Sequence, residues 1–384
     1  MKGDSISLNF VKLKYTLLLC TICACMPVMN ASGQTIDQNT YSRLIQNGME
    51  KMKSGDYQAA RADFEQSIRQ NDSALEGHLG LGIAYFHLRE DAYAERELVR
   101  ATQISPQAPA PYQILGELYY RKDDFTTAIT YWEKAVELDP ANAGLRTRLD
   151  RIKKEHRMEK DFNRDVTSHF MIKYEGREKI EAGKIVLRIL EDAYSEVGRG
   201  LSYYPSREIS VILYSGAQFQ EVTDAPGWSG ALYDGKIRIP IGGIEQETPG
   251  LRKVLYHEYT HAVVHAITPR TPPTWLNEGL AQYFEGREIT VHQQKIMRQL
   301  AQAGKLPALS SLEGSFMGLD SNQAQYAYLC SLSAVRYMVD TYGMYRAKSI
   351  LEEIARGADT DRAISSGTMR TYDEFQRGWK QSLE

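Results

Sequence analysis

His257-Glu258-Tyr259-Thr260-His261 holds the residue types and spacing that could do chemistry. Apolar residues surround it, Val254-Leu255 before and Ala262-Val263-Val264 after, as on a helix buried along much of its length. On a helix, positions i and i+4 lie one above the other on one face, so two imidazoles at this spacing can bind a single metal ion. Glu258 lies a step of about 100° around from His257, where it reaches a water on that metal rather than the metal itself. Two ligands and a general base on one turn are the parts of metal-assisted hydrolysis.

A hydrolytic zinc site needs a third protein ligand and an open position. Trp275-Leu276-Asn277-Glu278-Gly279-Leu280-Ala281-Gln282 supplies a candidate. The first helix is expected to stop near Thr268, because Pro269 disfavours helix in the residue before it. Pro272-Pro273 punctuates the loop, and Thr274 is the expected N-cap of a second short helix that can fold back and aim Glu278 at the histidines. His265 continues the stripe of His257 and His261. Eight residues along a helix is about 12 Å, too far for shared coordination with His257, so packing or support is expected of it. Gln282, one turn beyond Glu278, is placed for a supporting hydrogen bond to a ligand or for exposure as a plain amide.

H-E-x-x-H followed by W-L-N-E-G-L-A resembles the gluzincin metallopeptidases, and within them the peptidase-MA-like domains found beside tetratricopeptide repeats. The likeness runs from about residue 166 to 384. It implies an α+β zincin-like metallopeptidase domain with Zn2+ held by His257, His261 and Glu278, and Glu258 as catalytic base. It further implies a phenol donor for the developing oxyanion on a helix after the third ligand: Tyr328 first, Tyr326 second. By the same resemblance the hairpin from Gly230 to Ile239 is the strand that pairs with an extended peptide or protein substrate. A plain structural hairpin is the other reading, and Trp228 beside it reads as core.

The elements that must position these residues follow from pattern. His169 to Tyr174 and Ile209 to Tyr214 have strand character, and Ile185 to Val197 carries a helical apolar stripe. Asp234-Gly235 marks a hairpin turn leading into a strand that ends at Pro240. Gln325 to Tyr337 reads as a further apolar helix. The expected order places a small sheet over the helix of His257 and His261.

Residues 41–142 repeat with a period of 34: Gly48, Gly82 and Gly116; Ala60, Ala94 and Ala128; Phe64, Leu98 and Trp132; Ser67, Ala101 and Ala135. Pro106 and Pro140 close the second and third repeats, and Asp72 holds that place in the first. The pattern resembles the tetratricopeptide repeat, two antiparallel helices per unit. Three such repeats form an α-helical solenoid. Residues 143–163, rich in Arg and Lys, read as a capping and linker helix. The concave face suits a peptide or protein partner, or the repeats act as a brace for the second domain.

The 384-residue chain is 42% hydrophobic and 25% charged, with a formal charge of −3, which gives no reason to expect nucleic-acid binding. Lys2, Lys12 and Lys14 precede an apolar stretch from Tyr15 to Met29, which spans roughly 22 Å as a helix, short of a bilayer core of about 30 Å. Ala31-Ser32-Gly33 then offers small residues for cleavage, so residues 1–33 read as a signal peptide and the mature protein as extracytoplasmic, periplasmic or secreted. Removing that segment, with three lysines and one aspartate, takes the formal charge from −3 to −5. Ile22-Cys23-Ala24-Cys25 resembles a lipobox, and cleavage there would leave a lipidated Cys25 as the route to a membrane. An uncleaved anchor is the third reading. Of four cysteines only Cys330 lies outside this segment, and a buried apolar role is expected for it.

Two functions compete. One is a zinc metallopeptidase that uses its repeats for recruitment. The other is a repeat scaffold whose zinc domain is structural or nearly inactive. Structural zinc sites usually have four protein ligands and no positioned base. Glu258 therefore favours catalysis.

Overall fold

The computed structural model describes residues 37–176, 179–223, 231–240, 242, 244–268 and 270–383. The leader and lipobox readings at 1–33, Trp228, Gly230 and Pro269 lie outside the described residues. The chain forms two compact units that part between Lys160 and Asp161. Among the described residues no helix is long and apolar enough to cross a membrane.

The first unit is a run of helices: α1 (Gln38–Ser54), α2 (Tyr57–Gln70), α3 (Leu75–His87), α4 (Asp91–Ile104), α5 (Pro109–Arg121), α6 (Phe125–Leu138) and α7 (Ala143–Glu159). The pairs α1–α2, α3–α4 and α5–α6 pack against each other, and α7 closes on α6. The glycine column exists because the large-residue column occupies its space. A Cβ on Gly48 would lie 2.8 Å from Phe64, on Gly82 2.7 Å from Leu98, and on Gly116 2.4 Å from Trp132. The turn inside each pair takes a left-handed backbone at the same register, Gly55 (φ 79°), Arg89 (φ 62°) and Asp123 (φ 62°). Only the first of these has the residue that adopts it without steric cost. Asp37, Asp56, Asp124 and Asn142 cap their helices through side-chain oxygens.

The second unit holds β1 (Asn163–Val166), β2 (Phe170–Tyr174), α8 (Ile180–Leu201), β3 (Ile209–Tyr214), α9 (Gly216–Thr223), β4 (Leu232–Tyr233), β5 (Ile237–Pro240), α10 (Pro249–Ile267), α11 (Thr274–Phe284), α12 (Val291–Gln302), α13 (Ser321–Tyr342), α14 (Met344–Ala355), α15 (Thr360–Thr368) and α16 (Tyr372–Gln381). The sheet order is β1-β2-β3-β5-β4; β2, β3 and β5 are parallel, while β1 and β4 are antiparallel edges. One face of the sheet, with Phe170, Ile172, Val211, Leu213, Ile237 and Ile239, shares a core with Val186 and Leu190 of α8 and with Leu255, Tyr259 and Val263 of α10.

α10 stops at Ile267, and α11 returns beside it. Thr274 is not the N-cap of α11. Pro273 takes that position, and the Thr274 hydroxyl instead donates to the Glu313 carbonyl at 3.1 Å. The loop ahead of α13 therefore captures the hydroxyl that the local pattern assigned to the helix end. α13 begins at Ser321, earlier than its apolar pattern suggested, because Asp320 and Gln323 form a capping box.

α11 is wedged between α10 and α13. Trp275 is fully buried and its indole N–H donates to the Tyr372 hydroxyl at 2.9 Å. At Gly279 a Cβ would lie 2.5 Å from the Ser331 carbonyl oxygen of α13, so the two backbones touch there. Gly279→Ala is expected to destabilise the protein by about 1–3 kcal/mol through overpacking, read as a lower urea midpoint with an unchanged m-value.

Candidate metal centre

His257 and His261 sit one turn apart on α10, with ring centroids 4.8 Å apart and planes at 85°. Glu278 comes from the middle of α11. Its Oε2 lies 3.4 Å from Nε2 of His257 and 3.7 Å from Nε2 of His261. One ligand atom from each of these three residues lies within 4.8 Å of the other two, and they are the one such group among the described residues. Tetrahedral coordination with bonds of about 2.1 Å sets donor atoms about 3.4 Å apart, so the spacing fits a cation between them.

The opposite ring nitrogens fix which atoms face that point. Nδ1 of His257 donates to Glu285 Oε2 at 2.7 Å, and Nδ1 of His261 to Asn277 Oδ1 at 3.0 Å. Holding the proton on Nδ1 leaves the Nε2 lone pair for a metal and fixes each ring's angle. Glu285 carries no signal in the first motif, but it lies seven residues after Glu278, two turns along the same face. Asn277 stands inside the second motif without a role assigned to it. The two supports were thus legible in spacing once a fold-back helix was assumed.

The charges are mutually compensating. Burial pulls the His257 pKa down, but hydrogen bonds to Glu278 and Glu285, with the charges of Glu278 and Glu258, lift it to about 10. Burial pushes Glu278 up, yet the two imidazoles hold it below the usual carboxylate range. A cation that takes the Nε2 lone pair of His257 must displace its proton, so binding strengthens as pH rises towards that value.

Glu258 is buried, and burial raises its pKa; the imidazoles oppose this, the Glu278 charge adds to it, and a hydrogen bond from the Tyr233 backbone N–H lowers it. A carboxyl pushed up towards working pH is suited to take and return a proton. Tyr328, on α13, packs edge-on against Phe316 with ring centroids 5.4 Å apart. Its phenol is raised by burial and then by the charges of Glu278 and Glu258, with Arg287 opposing. Tyr326 is raised by burial and by Cys330, with no contribution from either glutamate. Gln282 is buried rather than exposed, and it supports the ligand helix through backbone: Nε2 donates to the carbonyls of Glu278 at 3.2 Å and Tyr328 at 2.9 Å. His265 stands outside the cluster, with Nδ1 3.4 Å from the Tyr233 hydroxyl. Cys330 is buried, and burial pushes its thiol up to about 12.

The Peptidase MA superfamily model matches residues 197–384, and tetratricopeptide-repeat models match 45–109 and 109–142. The chain carries a peptidase MA superfamily domain behind tetratricopeptide repeats. Among curated proteins, the uncharacterized protein YhcO of Bacillus subtilis (strain 168) is 22% identical over 139 residues, covering 35% of this chain and 41% of that protein. Anaphase-promoting complex subunit 3 of Schizosaccharomyces pombe is 26% identical over 92 residues, 24% of this chain and 14% of that protein. The chain thus spans less than half the length of either relative. Among solved structures, the first tetratricopeptide domain of Spaghetti (RPAP3) bound to an HSP90 peptide has 21% identity and a TM-score of 0.30, covering 31% of this chain and 95% of that one.

Glu285→Gln, which keeps shape but weakens the acceptor behind His257, is expected to lower divalent-cation affinity by about 10–100-fold. Isothermal titration with zinc on wild type and variant measures the difference.

Proposed function

We propose that the protein is a zinc-dependent metallopeptidase that cleaves a peptide or protein substrate outside the cytoplasm, with its repeats recruiting the substrate or a partner. The observation that carries this reading is the convergence of His257 Nε2, His261 Nε2 and Glu278 Oε2 beside the buried carboxylate of Glu258. A purely structural site has no use for a fourth side chain, an acid that is not a ligand, held there. The family supports peptide-bond chemistry. The donor set, two imidazoles and one carboxylate, is that of hydrolytic zinc sites. The basic leader, its apolar stretch and Ala31-Ser32-Gly33 support export, and Cys25 is the alternative point of attachment.

His257, His261 and Glu278 would hold the zinc, which would supply Lewis acidity and make water at the site more acidic. Glu258 accepts a proton from the attacking water and passes it to the leaving nitrogen. Its raised pKa serves both halves of that transfer. Tyr328, coupled to both glutamates, donates its hydroxyl proton in a hydrogen bond to the carbonyl oxygen as charge develops there. The hairpin from Gly230 to Ile239, whose β4 lies at the sheet edge, is the segment along which an extended peptide pairs.

Glu258→Gln is expected to lower kcat by about 10²–10⁴-fold while zinc stoichiometry stays at one per chain. Peptide-library cleavage run beside metal analysis tests this, and a variant that cleaves as fast as wild type sinks the proposal in favour of a scaffold. Tyr328→Phe is expected to lower kcat by about 10²–10³-fold with KM little changed, measured on whichever library peptide is cleaved best.

A further inference from the structure

The ring of His257 lies between two acids of one helix. Its Nε2 faces Oε2 of Glu278 at 3.4 Å, and its Nδ1 donates to Oε2 of Glu285 at 2.7 Å. Glu278 stands in the middle of α11, where the helical hydrogen bonds on either side fix it. Glu285 is the C-cap of the same helix, the place where a helix frays most readily. A supporting carboxylate at a helix end is only as well placed as the stop that ends the helix.

That stop is held at several points. The Gly286 N–H donates to the Tyr283 carbonyl at 3.2 Å and the Arg287 N–H to the Gln282 carbonyl at 3.1 Å, the paired bonds of a Schellman turn. Gly286 takes the left-handed backbone, φ 71°, that this turn requires. The turn is then fastened to a third helix. Nη2 of Arg336 on α13 donates to the Arg287 carbonyl at 2.5 Å, and among the described residues this is the one hydrogen bond of that side chain. The guanidinium of Arg287 itself has Nη1 3.8 Å from Oε1 of Glu285, but its side chain is 50% exposed. A half-exposed pair at that distance shifts an equilibrium by about fivefold at most. A charged donor on a main-chain carbonyl is the stronger hold. The tie from α13 therefore outweighs the ion pair.

We infer that Arg336 is a positioning residue for the metal centre: by holding the Arg287 carbonyl it fixes the stop of α11, and so keeps Glu285 against Nδ1 of His257. The inference rests on the reading of His257 as a zinc ligand, and it adds a residue that neither motif contains, from a helix that supplies no ligand. An arginine serving the fold alone would affect stability and leave cation binding untouched.

The test uses the full chain, freed of metal and titrated with zinc by calorimetry, beside urea unfolding. Arg336→Met is expected to lower zinc affinity about tenfold, the lower end of the loss when the partner behind a ligand is removed. Arg336→Lys, which keeps a charged donor for the carbonyl, is expected to recover part of that loss. Arg287→Ala leaves the carbonyl in place and is expected to change affinity by about fivefold at most. The deciding measurement is Glu285→Gln combined with Arg336→Met. If Arg336 acts through Glu285, the second change lowers affinity by no more than about twofold beyond the first. Independent effects multiply instead, so a further loss of about tenfold overturns the inference. Unchanged zinc affinity in Arg336→Met overturns it too, whatever the urea midpoint. Should Arg336→Met fail to fold, Gly286→Ala disturbs the same stop from within. A Cβ there meets nothing within 4 Å, so backbone strain is all that it adds, and the same cycle with Glu285→Gln applies. A wild type that takes up no zinc overturns the metal reading and this inference with it, whereas a zinc-binding wild type with unaffected variants overturns this inference alone.

Discussion

The carboxylate of Glu278, set 3.4 Å and 3.7 Å from two imidazole nitrogens, is the constraint around which the second unit is arranged. Gathering three acids and two histidines in a half-buried cluster costs solvation, and each group needs a partner to stay there. Glu285 and Asn277 hold the rings, and the two imidazoles keep the Glu278 carboxyl below the usual range. Two helices must then run close enough, and at a fixed enough height, to keep these contacts. Gly279 seats α11 from its other side by letting it touch the backbone of α13, and Trp275 anchors the start of the helix with a buried indole bonded to Tyr372.

Much of this arrangement could be read in the sequence because it rests on local periodicity. The i, i+4 histidines need nothing but a helix, and the proline-rich loop requires a reversal before Glu278. The strand Ile209 to Tyr214 is β-branched and apolar along its length, so its bounds agree with the structure. Where reading failed, the cause was distant in the chain. Thr274 is drawn to Glu313, 39 residues on, and no local rule contains that partner. β1 escaped notice because all four of its residues are exposed and it is a strand through pairing with β2 alone. Glu285 gained its meaning from a fold-back that had to be assumed first. Arg238 sits in a strand otherwise apolar, and its partners, Asp234 across the turn and Tyr214 on another strand, are set by the fold rather than by local pattern.

The first unit follows a different logic. Its columns are matched pairs, the absence of a side chain on one helix admitting a large ring or branch from the next. Such units depend on near neighbours and therefore repeat along a chain without a central core. In the second unit the core is one cluster drawn from both the sheet and the helices that follow it, so changes there are felt at longer range.

Gln282 joins the main chain of Glu278 to the main chain of Tyr328 through one buried amide. That bridge ties α11 to α13 at the height of the Glu278 carboxylate and the Tyr328 phenol. Because both acceptors are main-chain carbonyls, the tie does not depend on which side chains stand at 278 and 328, and a substitution at either position leaves the two backbones fastened.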